Sequence, residues 1–536
     1  MEDRRQPAEG RVGHEGTAVK TVRRRMSSYR YWLVLEGIGV GAAAGLVAVL
    51  FRLALGSADT FRTAAIAWAA KHAWSMALWI GVLVAAAAAV TLFLRWEPLI
   101  SGSGIPQVEG EMLGQVHQTW WRVLLAKFGG GVVAIASGLA LGREGPSIQL
   151  GAMAGKGVSR LCGRVRTEEK LLMTCGASAG LSAAFGAPFA GVLFALEEVH
   201  KNFSLDVLLP AMASSITADF ISSNIFGLKP VFDLSVGEMM PLRHYWLLIA
   251  LGLVIGLLGV LYNRCVGLAQ DLYARIPSRF LRTLIPFLLA GALAFTLPQL
   301  LGSGHRLVEE MSSFALPAVL ALFAGKFLFS MASFGAGVPG GIFLPLLVLG
   351  SFIGSGFFLA AAPLVGLPKT LLLNFVVLGM AGYFSAIVRA PVTGIVLICE
   401  MTGSFTHLLS LSLVSLVAYA VADSLHCKPV YDQLLERLLA GLPAGQKPQP
   451  ASEEKVLVDA PVCLGARACG KTISQIDWPD GCLVVSIVRH EQELIPRGDT
   501  AVQAGDQLTV LCGDSEVAQV RRAMEHWCET ALRRRK

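Results

Sequence analysis

Glu144 is the residue with the most chemistry available to it. It stands in Gly142-Arg143-Glu144-Gly145-Pro146, between two apolar runs each long enough to lie within a bilayer. A carboxylate at that depth is costly, and it marks an ion or proton pathway by default. The glycines leave backbone N–H groups bare, and Pro146, lacking an N–H, suits the first turn of a helix. Free N–H groups at a helix start carry partial positive charge and bind anions. The pentapeptide reads as an anion cradle with a competing anion, the Glu144 side chain, tethered beside it. The plainer alternative is a helix break in which Glu144 pairs with Arg143.

Three further stretches offer donors of the same kind. Gly102-Ser103-Gly104-Ile105-Pro106 presents a hydroxyl and exposed amides after a span. Gly341-Ile342-Phe343-Leu344-Pro345 repeats the Gly…Pro helix start, so the amides of Ile342 and Phe343 are expected to aim at the same place. Tyr431, after Lys428-Pro429, supplies a phenolic O–H. Donors without a full charge suit conduction, because the ion must bind well enough to enter and weakly enough to leave. Ser103 as a helix cap and Tyr431 as an interfacial anchor are the ordinary readings of those two residues.

The elements that must hold these residues are membrane spans. Of 536 residues, 54% are hydrophobic and 15% charged, well below the charge content of soluble domains. Runs at 31–51, 74–94, 245–262 and 281–297 approach or meet the length needed to cross hydrocarbon. Others are broken by Gly and Pro, as in re-entrant or interrupted helices, which survive in a membrane only inside protein or beside a wet cavity. The first thirty residues are polar, without the apolar core of a cleavable signal. The net charge of +7 collects in Arg23-Arg24-Arg25, Arg30 and the loop Lys156, Arg160, Arg164, Arg166, Lys170, which the positive-inside rule puts in the cytoplasm. That balance concerns topology and makes no case for nucleic acid. The ten cysteines show no C-x-x-C pair or metal spacing.

The membrane body matches itself. Gly102-Ser103-Gly104 recurs as Gly302-Ser303-Gly304, Lys127-Phe128 as Lys326-Phe327, and Ala187-Pro188-x-x-Gly191 as Ala390-Pro391-x-x-Gly394, with Glu197 opposite Glu400. Each pair lies about 200 residues apart, in the same order. Tandem halves with matching interrupted helices point to a transporter whose site lies between them, and inversion of one half lets helix starts from both converge on one anion. The expected architecture is an all-α multi-span body at 31–437, with halves near 31–205 and 206–437. A disordered basic tail occupies 1–30, a linker 438–455, a small cytosolic α/β domain 456–530 and a basic end 531–536.

The set GSGIP, GREGP, GGIFLP and the late Tyr resembles the CLC chloride channels and proton-coupled chloride exchangers, over nearly the whole of 31–437. The resemblance implies two inverted repeats and a homodimer with one pore per subunit in the cell's inner (plasma) membrane. It also implies Ser103 and Tyr431 hydroxyls and Ile342 and Phe343 amides on a central chloride, and Arg143 and Gly145 amides at an outer site. Glu144 would then be the gating glutamate. Glu198, in Phe194-Ala195-Leu196-Glu197-Glu198-Val199-His200, matches the cytoplasmic proton relay of the exchangers. Its ordinary reading is a solvated carboxylate beside His200 and Lys201. Together Glu144 and Glu198 favour proton-coupled antiport over an uncoupled channel. Ser103 fits the chloride-type branches; the fluoride branch carries Met there. Ser303 and His305 have no expected anion role.

Cys482–Arg489 and 507–512 read as strands and 514–527 as a helix. This region resembles the TrkA-C (RCK C-terminal) regulatory domain, which implies dimer pairing and, in some members, cyclic di-AMP binding. The chain needs no metal or other cofactor for this activity. Two rival classes are weak. Gly176-Ala177-Ser178-Ala179-Gly180 satisfies a hydrolase motif but sits in an apolar helical run, away from any strand elbow. A potassium system would need a T-V-G-Y-G filter, which the chain lacks.

Overall fold

The computed structural model describes residues 12–201, 203–228, 230–232, 234, 239–441, 455–489, 492–513 and 516–529. The first half of the body comprises α1 (Val12–Ala69), α2 (Ala73–Trp96), α3 (Ile105–Met112), α4 (Trp120–Ala136), α5 (Glu144–Leu161), α6 (Arg166–Phe185), α7 (Pro188–Phe194) and α8 (Leu205–Phe226). The second half repeats that order. It comprises α9 (Tyr245–Ala274), α10 (Arg279–Thr296), α11 (His305–Glu309), α12 (Leu316–Gly335), α13 (Phe343–Val365), α14 (Leu372–Val388), α15 (Pro391–Thr402) and α16 (Leu408–Ser424). Then α17 (Val430–Gly441) carries Tyr431.

Eight helices answer eight, so the halves divide between Phe226 and Tyr245, not at 205 as expected. The break between α7 and α8, around Lys201, stood in for the boundary that lies after α8. Residues 12–30, expected as a disordered tail, continue α1. A helix already nucleated by a packed span propagates at little cost through a stretch without proline. Residues 1–11 lie outside the described residues. The expected linker begins inside α17 and ends at Lys455 in a strand, and 442–454 lie outside the described residues.

Among the described residues, eight helices are long and apolar enough to cross a membrane, including all four expected runs. The tightest packing joins α5 to α6 and α13 to α14. A Cβ on Gly151 would lie 2.1 Å from the Gly176 carbonyl oxygen, and one on Gly354 only 1.9 Å from that of Phe375. The hydrolase-like Gly176–Gly180 motif is thus the contact face of α6. The halves meet head to head: Gly142 and Gly341 form an antiparallel bridge with N···O distances of 2.7 and 2.8 Å.

One compact unit runs to Ile105 and from Thr119 to Gln433; the other joins Pro106–Gln118 to the chain from Leu434 on. The second contains an antiparallel sheet, β1 (Lys455–Pro461), β2 (Leu483–Arg489), β3 (Gln492–Leu494) and β4 (Gln507–Gly513), in the order β1-β4-β2-β3. Val458 faces Val510 across β1 and β4, and Ile487 faces Leu508 across β2 and β4. With Val520 and Met524 of α18 (Val517–Met524) they build its core. The expected helix at 514–527 is shorter as an α-helix and ends in a wider turn over Glu525–Glu529; residues 514–515 lie outside the described residues. Asp506, buried beneath the sheet, takes Arg489 on both oxygens at 2.7 Å and the Gln503 amide at 2.8 Å. Those hydrogen bonds hold the Arg489 guanidinium above its usual pKa.

Candidate functional site

Among the helices that open with a proline in the first turn, α5, α7, α13 and α15 fall into two classes. Glu197, on the turn after α7, accepts from the Thr393 amide at 2.9 Å and the Thr393 hydroxyl at 2.7 Å, at the start of α15. Glu400, near the end of α15, accepts from the amides of Phe189 (3.1 Å) and Ala190 (2.8 Å), at the start of α7. Each half caps the other by the same device. Among the described residues no side chain closes a hydrogen bond on the starts of α5 and α13, although Glu144 and Ile342 there are fully buried. A buried helix start with unsatisfied amides is unusual and is matched by an anion.

These two open starts converge. The Gly142–Gly341 bridge ties the turns that precede them, and a Cβ on Gly341 would meet the Gly145 amide nitrogen at 3.1 Å. The Glu144 side chain folds back into the junction. A Cβ on Gly142 would lie 2.2 Å from Glu144 Oε2 and 3.2 Å from the Leu344 amide nitrogen, so glycine is needed for the carboxylate to sit there. The amides of Glu144 itself and of Leu344 face that carboxylate, although neither closes to a full hydrogen bond. Arg143 Nε, buried and without a hydrogen-bond partner among the described residues, lies 3.9 Å away, an ion pair longer than a hydrogen bond.

The hydroxyl donors arrive from either side. Ser103 Oγ lies 2.3 Å from the position of a Cβ on Gly145, which leaves α5 no room for a side chain there. Tyr431 is fully buried, beside Ser103 and within electrostatic reach of both Glu144 and Glu198. Among the described residues, neither the Ser103 nor the Tyr431 hydroxyl has a hydrogen-bond partner. Leaving such groups dry costs about 1–3 kcal/mol each, so their clustering requires an occupant that accepts hydrogen bonds. Phe343 packs against Phe384 (4.8 Å), Phe185 (5.3 Å) and Phe194 (6.1 Å), and Phe194 meets the Tyr431 ring edge-on at 6.4 Å. Ser103, Arg143, Glu144, Gly145, Ile342, Phe343 and Tyr431 are therefore brought to one place.

Glu198 stands on the widened turn Ala195–His200 beyond Tyr431, and only 5% of it is exposed, unlike a solvated helix-end carboxylate. Ser303 and His305 instead line a cleft of about 370 Å³ with Asp59, Arg62 and Arg306.

Two lysines were legible only as repeat markers. Fully buried Lys127 donates to the carbonyls of Ile100 (2.8 Å) and Gly102 (2.7 Å), and Lys326 to those of Leu300 (2.8 Å) and Gly302 (2.6 Å). Each anchors the Gly-Ser-Gly turn of its own half. A lysine inside an apolar run, repeated at the same interval, was the available signal.

Two duplicated helical halves with open helix starts at their junction define a membrane ion-transport fold. The family model "Voltage gated chloride channel" matches residues 85–423, and the TrkA-C domain model matches 457–525. The chain belongs to the voltage gated chloride channel family and is a multi-pass membrane protein. It is 35% identical to the H(+)/Cl(-) exchange transporter ClcA of Vibrio campbellii over 77% of this chain and 91% of that protein. It is 34% identical to the ClcA of Klebsiella pneumoniae over 82% and 96% respectively. A slow cyanobacterial Cl-/H+ antiporter superposes with a TM-score of 0.72 at 29% identity, covering 76% of this chain and 98% of that one.

Proposed function

We propose that the protein is a proton-coupled chloride antiporter, with Glu144 as the gate and Glu198 as the internal proton relay. The observation that carries this is the Glu144 carboxylate folded into the open helix starts of α5 and α13, the ground an anion takes. Ionised, Glu144 occupies that ground and excludes chloride. Protonated, it has no claim on the amides and swings out, and chloride replaces it. One site serving two anions in turn ties proton movement to chloride movement. Ser103 and Tyr431 hydroxyls and the Ile342 and Phe343 amides hold the central chloride, and the Arg143 and Gly145 amides hold the outer one. Glu198, beyond Tyr431, passes protons between Glu144 and the cytoplasm.

The protein works as a homodimer with one pore per subunit, in the plasma membrane. Its N-terminal segment and C-terminal domain are cytoplasmic, following the basic residues Arg160, Arg164 and Arg166 around the turn between α5 and α6. The C-terminal domain is the regulatory module, and cyclic di-AMP added to full-length protein in vesicles is the probe for its ligand.

The test is the reversal potential of purified protein in proteoliposomes under a pH gradient at fixed chloride. An antiporter's reversal potential shifts with the gradient. A potential set by chloride alone would identify an uncoupled channel and remove Glu198 from the mechanism.

A further inference from the structure

Tyr431 is the second residue of α17 and directly follows a short loop, since α16 ends at Ser424 and α17 begins at Val430. Two consecutive carbonyls of that loop are gripped by side chains from other elements. Arg389 donates through one terminal nitrogen to the Cys427 oxygen at 2.9 Å and through the other to the Tyr419 oxygen at 3.0 Å. Asn263, wholly buried on α9, donates to the Lys428 oxygen at 3.2 Å and to the Ile387 oxygen at 3.2 Å. The Lys428 oxygen also accepts from the Gln433 side chain at 2.9 Å. Pro429 follows at once, and its fixed φ passes the orientation of the Lys428 carbonyl on to the start of α17.

Arg389 is itself held at φ 74°, a left-handed conformation rare outside glycine. Such backbone persists where the surroundings over-determine it, and it clusters at functional sites. Here it ends α14 and turns the guanidinium, stacked 5.0 Å from the Tyr419 ring, toward the loop. Among the described residues neither Asn263 nor Arg389 hydrogen-bonds to a residue of the anion site, yet both grip the residues just before Tyr431.

We propose that Asn263 and Arg389 are positioning residues of the anion site: by clamping the Lys428 and Cys427 carbonyls they fix where the Tyr431 hydroxyl points. This rests on the reading of Tyr431 as a chloride donor. The clamp explains how a side chain at the very start of a helix, just past a loop, can serve a site that needs placement within about half an ångström.

The test is chloride titration calorimetry on purified full-length protein, with Tyr431→Phe, Asn263→Ala and the double variant, plus Arg389→Lys. Lysine keeps the charge but lacks the planar fork that spans two carbonyls. Tyr431→Phe is expected to weaken chloride binding by roughly tenfold, the loss of one hydrogen bond to a charged group. Asn263→Ala is expected to weaken it about threefold to tenfold, and the double variant no more than Tyr431→Phe alone, because both remove the same contact. Arg389→Lys should follow the same pattern and carries the test if Asn263→Ala does not fold. Unchanged affinity in Asn263→Ala or Arg389→Lys, or a loss that adds in full to that of Tyr431→Phe, would overturn the clamp and leave Tyr431 in its role. Unchanged affinity in Tyr431→Phe would overturn that role and the clamp with it.

Discussion

At the scale of single residues, the site is built from groups that want an anion and have none of their own except Glu144. Ser103 and Tyr431 hydroxyls and two sets of helix-start amides are enclosed without partners, and one carboxylate is tethered among them. Replacing Ser103 by Ala should weaken chloride binding by roughly tenfold in calorimetry and leave folding intact, because the hydroxyl has no hydrogen-bond partner among the described residues. Glu198→Gln should suppress proton transport while chloride flux through proteoliposomes persists; unaltered proton flux would remove the relay. The helix starts were legible from their glycines and prolines, but which of them are capped was not, since the proline starts of α7 and α15 are closed from the opposite half. The roles of Glu197, Glu400, Lys127 and Lys326 were not legible either. Sequence shows that such residues recur, but the partners of Glu197 and Glu400 lie about 200 positions away, in the other half.

At the scale of elements, the proposal makes the distinction between capped and open helix starts decide where anions go. The α7 and α15 starts are closed by carboxylates from the opposite half, so they offer nothing to chloride, and α5 and α13 remain. Glu400→Ala should lower thermal stability in detergent by about 1–2 kcal/mol, the usual cost of losing a cap, and should leave chloride affinity unchanged. Gly354→Ala should be worse. Its Cβ would overlap the Phe375 carbonyl, and forcing α13 and α14 apart costs about 1–3 kcal/mol or more. Because α13 begins at the site, chloride affinity should fall as well. Periodicity and turn residues revealed the interrupted helices but not the boundary between the halves. That boundary depends on matching α8 with α16, two apolar helices with no shared motif.

At the scale of the whole molecule, all of the candidate site residues lie within the unit that ends at Gln433. A chain cut after Gly441 should therefore still exchange chloride for protons at a coupling ratio equal to that of the full protein, measured in proteoliposomes. Loss of coupling on truncation would mean that the C-terminal domain completes the site. Breaking the Arg489–Asp506 pair by Asp506→Ala should expose residues 455–529 to protease without altering that ratio. The central claim is that one carboxylate and chloride compete for the same helix starts. The most direct measurement records chloride efflux and proton uptake together from Glu144→Gln vesicles. The account predicts chloride flux with no proton movement, because a neutral side chain neither blocks the site nor carries a proton. Proton uptake persisting in step with chloride would contradict it.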